Sequence, residues 1–119
     1  MFKIMFINEE KLPDDIETEV VEHRLPEEEL EGAYLGLGST YRTLGKYKES
    51  KKVFEEGIAK FPENNAIKVF YAMTLYNLKE HSKAMEILLY NISQTSSDEN
   101  INKYKKAIEF YSNKLNEIW

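Results

Sequence analysis

The side chains best suited to chemistry in this chain are sparse and badly placed for it. His23 and His81 stand alone, and a metal site needs several His, Cys, Asp or Glu ligands gathered at coordination spacing. The chain has no cysteine, which removes disulfides, thiolate metal sites and a thiolate nucleophile. Ser39 has no histidine at useful helical spacing to act as its base, and Glu55 and Glu56 are sequence neighbours that leave a helix in different directions, so they make no acid and base pair. Gly32, Gly36 and Gly38 lie inside a helical pattern, without the lysine or the preceding strand of a phosphate-binding loop, and read as points of close helix packing. Lys46, Lys48, Lys51, Lys52 and Lys60 surround one helix but alternate with Glu49, Glu55 and Glu56 in a chain of net charge -5. The expectation is therefore no enzyme, no cofactor, no metal and no nucleic-acid partner.

What these residues sit on is a series of helices. Pro26 suits a first turn, Glu27, Glu28 and Glu29 complement the positive end of the dipole, and Leu30, Tyr34, Leu37, Tyr41 and Leu44 recur at helical spacing, predicting a helix over roughly 26–44. After a tight turn at Gly45 and Lys46, the stripe Tyr47, Ser50, Val53, Phe54, Gly57, Ile58 and Phe61 predicts a second helix that Pro62 ends. Asn64 or Asn65 caps a third, bearing Ile67, Val69, Phe70, Ala72, Met73, Leu75, Tyr76 and Leu78, and Ala84, Ile87, Leu88 and Ile92 mark its partner. Gln94 to Asp98 is a polar loop. Ser96 with Glu99 fits a capping box for a last helix over 99–119, carrying Ile101, Tyr104, Ile108, Tyr111, Leu115 and Ile118.

The N-terminal 25 residues leave alternatives open. Pro13, Asp14 and Asp15 resemble a helix start ahead of Ile16, Val20, Val21 and Leu25, while Phe2, Ile4, Met5, Phe6 and Ile7 suit a strand or an apolar groove. Residues 1–31 hold eleven acidic and three basic side chains, whereas 32–119 hold ten acidic and thirteen basic. The acidic part either forms a solvated face or docks on the basic remainder of its own or a neighbouring chain. If it does not fold back, apolar surface is exposed and a homodimer or segment exchange follows. Met1 to Ile7 is too short for a membrane span and no cleavage site follows it, so a soluble, cytoplasmic protein without a membrane partner is expected.

Leu37, Gly38, Tyr41, Leu44, Gly45, Tyr47, Ser50, Phe54, Gly57 and Pro62 form a pattern that returns 34 residues later as Tyr71, Ala72, Leu75 and Leu78, then Ala84 and Leu88. Size and polarity repeat rather than identity: small residues where helices approach, large apolar ones where they fill space. On these residues the chain resembles the tetratricopeptide repeat (TPR) family. The stretch Glu27 to Trp119 looks like the C-terminal part of small bacterial TPR proteins. The second copy departs from the pattern at Asn91, where a small residue is usual, and at Ser96, where proline is. The resemblance implies an all-α fold, with two antiparallel helix pairs over 26–98 stacked as a short right-handed solenoid and a C-terminal capping helix.

The resemblance also implies a protein-binding scaffold whose concave groove is lined by the first helix of each pair. The faces not used for packing place Leu35, Ser39, Arg42 and Thr43 there from the first repeat, and Val69, Phe70, Met73, Tyr76 and Asn77 from the second. That surface lacks the lysines and asparagines with which some TPR proteins grip a terminal carboxylate. It suits a protein or peptide with apolar anchors, oriented by Arg42 and Asn77. The competing expectation is a self-associating structural subunit whose groove is filled by its own or a neighbour's N-terminal segment.

Overall fold

The computed structural model describes residues 26–118. The expectations for the N-terminal 25 residues lie outside them. Among the described residues six helices follow one another: α1 (Glu27–Thr43), α2 (Tyr47–Lys60), α3 (Asn65–Asn77), α4 (His81–Thr95), α5 (Glu99–Lys103) and α6 (Lys105–Tyr111). All regular structure among the described residues is helical. α1 pairs with α2, α3 with α4, and α3 also packs along α2, while α6 lies on α4.

Each boundary has a local cause. Pro26 precedes α1 and three glutamates fill its first turn. Asn64, rather than Asn65, caps α3, its Oδ1 accepting from the Ile67 N–H at 3.1 Å. Both first helices end in the same six-residue loop-back: the Lys46 N–H donates to the Tyr41 carbonyl, and the Glu80 N–H to the Leu75 carbonyl, each at 2.9 Å. That closure needs a left-handed residue, supplied by Gly45 at φ 77° and, 34 positions on, by Lys79 at φ 67°.

The repeat pairs meet in a core that α2, α3 and α4 share. Phe54, Phe61, Ile67, Tyr71, Leu75 and Ala84 are buried together, and Leu37, Tyr41 and Val53 form a second cluster between α1 and α2. Gly38 permits the α1–α2 approach, because a Cβ there would lie 2.6 Å from Cζ of Phe54. A Cβ at Gly57 would come within 3.0 Å of the Tyr34 Cβ. Ser50, expected only to be small, also carries the polar joint between repeats. Its hydroxyl donates to the Gly38 carbonyl at 2.7 Å and so accepts from the Thr74 hydroxyl at 2.8 Å, tying α1, α2 and α3 with no exposed atom at Ser50 or Thr74. Arg42 to Asn77 and Glu31 to Asn64 join α1 and α3 side by side at offsets of 35 and 33 residues, bracketing the 34-residue period.

Two expectations at the C-terminal end need correction. The last helix is not continuous: it bends out of α-geometry at Tyr104 (φ -107°, ψ 17°), and after Tyr111 only turns follow. Its cap is Asp98, whose Oδ1 accepts from the Ile101 N–H at 3.0 Å, while the Ser96 hydroxyl accepts from the Asp98 N–H instead of forming a box with Glu99. An aspartate next to the first helical residue reaches the exposed N–H groups directly, whereas Ser96 is two residues too early.

Candidate functional site

A groove of about 290 Å³ opens between α3 and α4, and its lining is almost wholly apolar. α3 contributes Ala72, Met73 and Tyr76, and α4 contributes Ala84, Met85 and Leu88, with Arg42 and His81 at the margins. The helical spacing is the reason: Ala72 and Tyr76 are four apart on α3, and Ala84 and Leu88 four apart on α4, so each pair shares one face. Ala72 and Ala84 are buried and form the floor. Met73, Tyr76 and Met85 are 37%, 62% and 42% exposed and form the walls. The Tyr76 and His81 rings lie 4.9 Å apart between centroids, tilted by 44°, so His81 acts as an aromatic neighbour at the lip.

Three of the residues assigned from sequence to the binding surface, Arg42, Met73 and Tyr76, meet at this groove. The others are placed differently. Leu35 and Phe70 are half-buried and pack against the main core. Ser39 is only 6% exposed, with a hydroxyl that has no hydrogen-bond partner. Thr43 is exposed but donates back to the Thr40 carbonyl of its own helix. Val69 is half-buried. Arg42 and Asn77, expected to orient a ligand, bond to each other: the Arg42 Nε–H donates to Asn77 Oδ1 at 2.8 Å. Sequence reasoning missed His81, Ala84, Met85 and Leu88 because it sought the groove only on the first helix of each pair, and it missed Ala72 on α3 because that small residue reads as a point of helix packing. The available signal was Met85, a large apolar residue at the position where the first repeat has Lys51.

Charged groups around the core act structurally. Tyr71 donates its phenol to Glu55 Oε2 at 2.7 Å, and burial first, then this bond and the charges of Glu55 and Glu80, hold its pKa well above the usual tyrosine range. Lys51 and Glu80 pair at 3.2 Å on a partly exposed flank. Among the described residues, no three His, Cys, Asp or Glu side chains gather in a way that would hold a metal ion. No helix of the described residues is long and apolar enough to cross a membrane.

Two stacked pairs, a 34-residue offset between first helices and small residues at each close approach are repeat geometry, and a tetratrico peptide repeat family model matches residues 15–115. The chain belongs to the tetratricopeptide repeat family. Among curated proteins no sequence matches it. TPR domains generally mediate protein–protein interaction and are generally non-catalytic scaffolds.

Proposed function

We propose that this TPR protein is a scaffold that binds a protein partner through apolar anchors seated in the α3–α4 groove. The observation that carries this reading is the groove itself: an apolar cleft with Met73, Tyr76 and Met85 exposed along its walls. Large apolar groups kept in water on both sides of a cleft gain by burial, at roughly 25 cal/mol per Å² of apolar area, less the costs of association. The floor is fixed by core packing of Ala72 and Ala84, so the surface is ready before a partner arrives and little ordering cost is incurred on this side. Met73 and Met85 adapt to the partner's shape, since methionine is unbranched and polarizable. Anchors that are aliphatic or aromatic suit such a lining, and a terminal carboxylate does not.

Tyr76→Lys with Met85→Glu puts charge on both walls without touching the buried floor. Capture from native lysate beside wild type, followed by titration of the purified captured protein, is expected to show binding weakened at least tenfold with helicity and melting temperature intact. Equal binding by both forms would overturn the groove assignment. Recovery of the bait alone, with concentration-dependent sedimentation, would favour the self-associating subunit.

A further inference from the structure

The first repeat shows what its own equivalent of the groove is for, because α3 sits there. Three polar pairs hold α3 and the turn after it: Thr74 on Ser50 at 2.8 Å, Asn77 on Arg42 at 2.8 Å and, from the turn, Glu80 on Lys51 at 3.2 Å. Thirty-four residues on, the receiving positions Ser50, Arg42 and Lys51 become Ala84, Tyr76 and Met85, which line the groove. The groove is therefore the seat of a third first-helix, with its polar latches replaced by apolar groups.

The chain carries a matching occupant. The positions 34 after Thr74 and Asn77 are Ile108 and Tyr111, so both members of each pair have changed together. Hydroxyl on hydroxyl becomes Ala84 with Ile108, and guanidinium on amide becomes Tyr76 with Tyr111. The third pair becomes Met85 with Lys114, whose aliphatic stem can cover a thioether. The start is in register too: Asn64 and Asp98 are 34 apart and each caps its helix by accepting from the N–H three residues on.

In this structure the segment lies elsewhere. Asn116 donates to Ser82 at 2.7 Å and Gln94 bonds Glu109, which sets α6 along the side of α4 that carries Ser82 and Glu86. At 3.6 residues per turn that side is roughly 200° around the helix from Ala84 and Leu88. Two features hold it off the seat. The bend at Tyr104 takes Ile101 and Ile108 off one straight face, although neither proline nor glycine forces a bend there. Asn91 also brings a whole side chain, its Nδ2 donating to the Ile87 carbonyl at 3.0 Å, to the position of Gly57, where in the first repeat a Cβ alone would already stand in van der Waals contact with Cδ1 of Ile67 at 3.5 Å.

We propose that residues 98–115 have a second seat in the α3–α4 groove, where they form an unbroken helix with Ile108 on Ala84 and Tyr111 on Tyr76, and so close the groove to a partner. This autoinhibitory contact rests on the groove being the partner site, but its test does not use a partner. The chain has no cysteine, so paired cysteines report position cleanly. In the full chain, Ala84→Cys with Ile108→Cys reports the second seat, and Ser82→Cys with Asn116→Cys reports the observed one. Tyr76→Cys with Tyr111→Cys serves should the first pair disturb folding. In dilute glutathione redox buffer, intramolecular disulfides are expected for both seats, and adding Asn91→Gly is expected to raise the second-seat fraction several-fold relative to the observed seat. A second-seat pair that stays reduced while Ser82→Cys with Asn116→Cys oxidises would overturn the proposal, as would disulfides that only join two chains. A failure of either kind leaves partner binding to wild type, and with it the groove reading, standing by itself.

Discussion

An alanine at Gly38 would put its Cβ against the ring of Phe54, which is fully buried and has no room to swing aside. Overpacking of this kind costs about 1 to 3 kcal/mol and outweighs the gain of about 1 kcal/mol that alanine brings to a helix interior. Gly32 on the same helix has nothing within 4 Å of a would-be Cβ, so Gly32→Ala is expected to stabilise by up to ~1 kcal/mol. Urea unfolding of the two variants should move in opposite directions. Lys79 gives a third residue-scale expectation. It holds a left-handed conformation that its counterpart Gly45 adopts without a Cβ penalty, so Lys79→Gly is expected to raise stability by about 1 kcal/mol in the same assay. Residue size was legible in the sequence, since Gly38, Ser50 and Phe54 stand where a small or large group is required. Hydrogen-bond roles were not, because Ser50 meets Thr74 across 24 residues and spacing reports volume, not partners.

Between elements, Tyr71 links α3 to α2 through Glu55, and its pKa is raised in the folded chain. A raised pKa means that the folded state prefers the protonated phenol. Its contribution is thus fully present below the unfolded value of about 10 and is lost as pH climbs from there toward the folded value. Denaturation midpoints of wild type and Tyr71→Phe, taken between roughly pH 8 and 12, are expected to converge as pH rises, and parallel curves would contradict this. Helix positions were largely legible, because apolar spacing and the cap at Asn64 are local signals. The bend at Tyr104 was not. Ile101, Tyr104, Ile108 and Tyr111 continue a helical spacing straight through it, and neither proline nor glycine marks the place, so no local signal announces it.

At the scale of the molecule, the Ser50 and Thr74 hydroxyls are the joint at which the first repeat grips the second. Ser50→Ala leaves the buried Thr74 hydroxyl without that partner and is expected to cost about 1 to 3 kcal/mol, whereas Ser50→Ala with Thr74→Val removes both polar groups and should cost less than the two single changes summed. A double-mutant cycle by chemical denaturation measures this, and strict additivity would show that the joint carries no coupling. The stacking of repeats was legible because 34-residue self-similarity implies it. The placement of the open groove was not, since it depends on where the last helix chooses to pack.

The Arg42 to Asn77 bond, at an offset of 35 residues, has the longest reach of the side-chain links described above. A chain whose partners lie so near in sequence closes only short loops as it orders, which places its folding in about the microsecond to millisecond range. During synthesis, the first helix pair can then find its partners soon after it leaves the ribosome, and each later helix meets a finished surface to dock on.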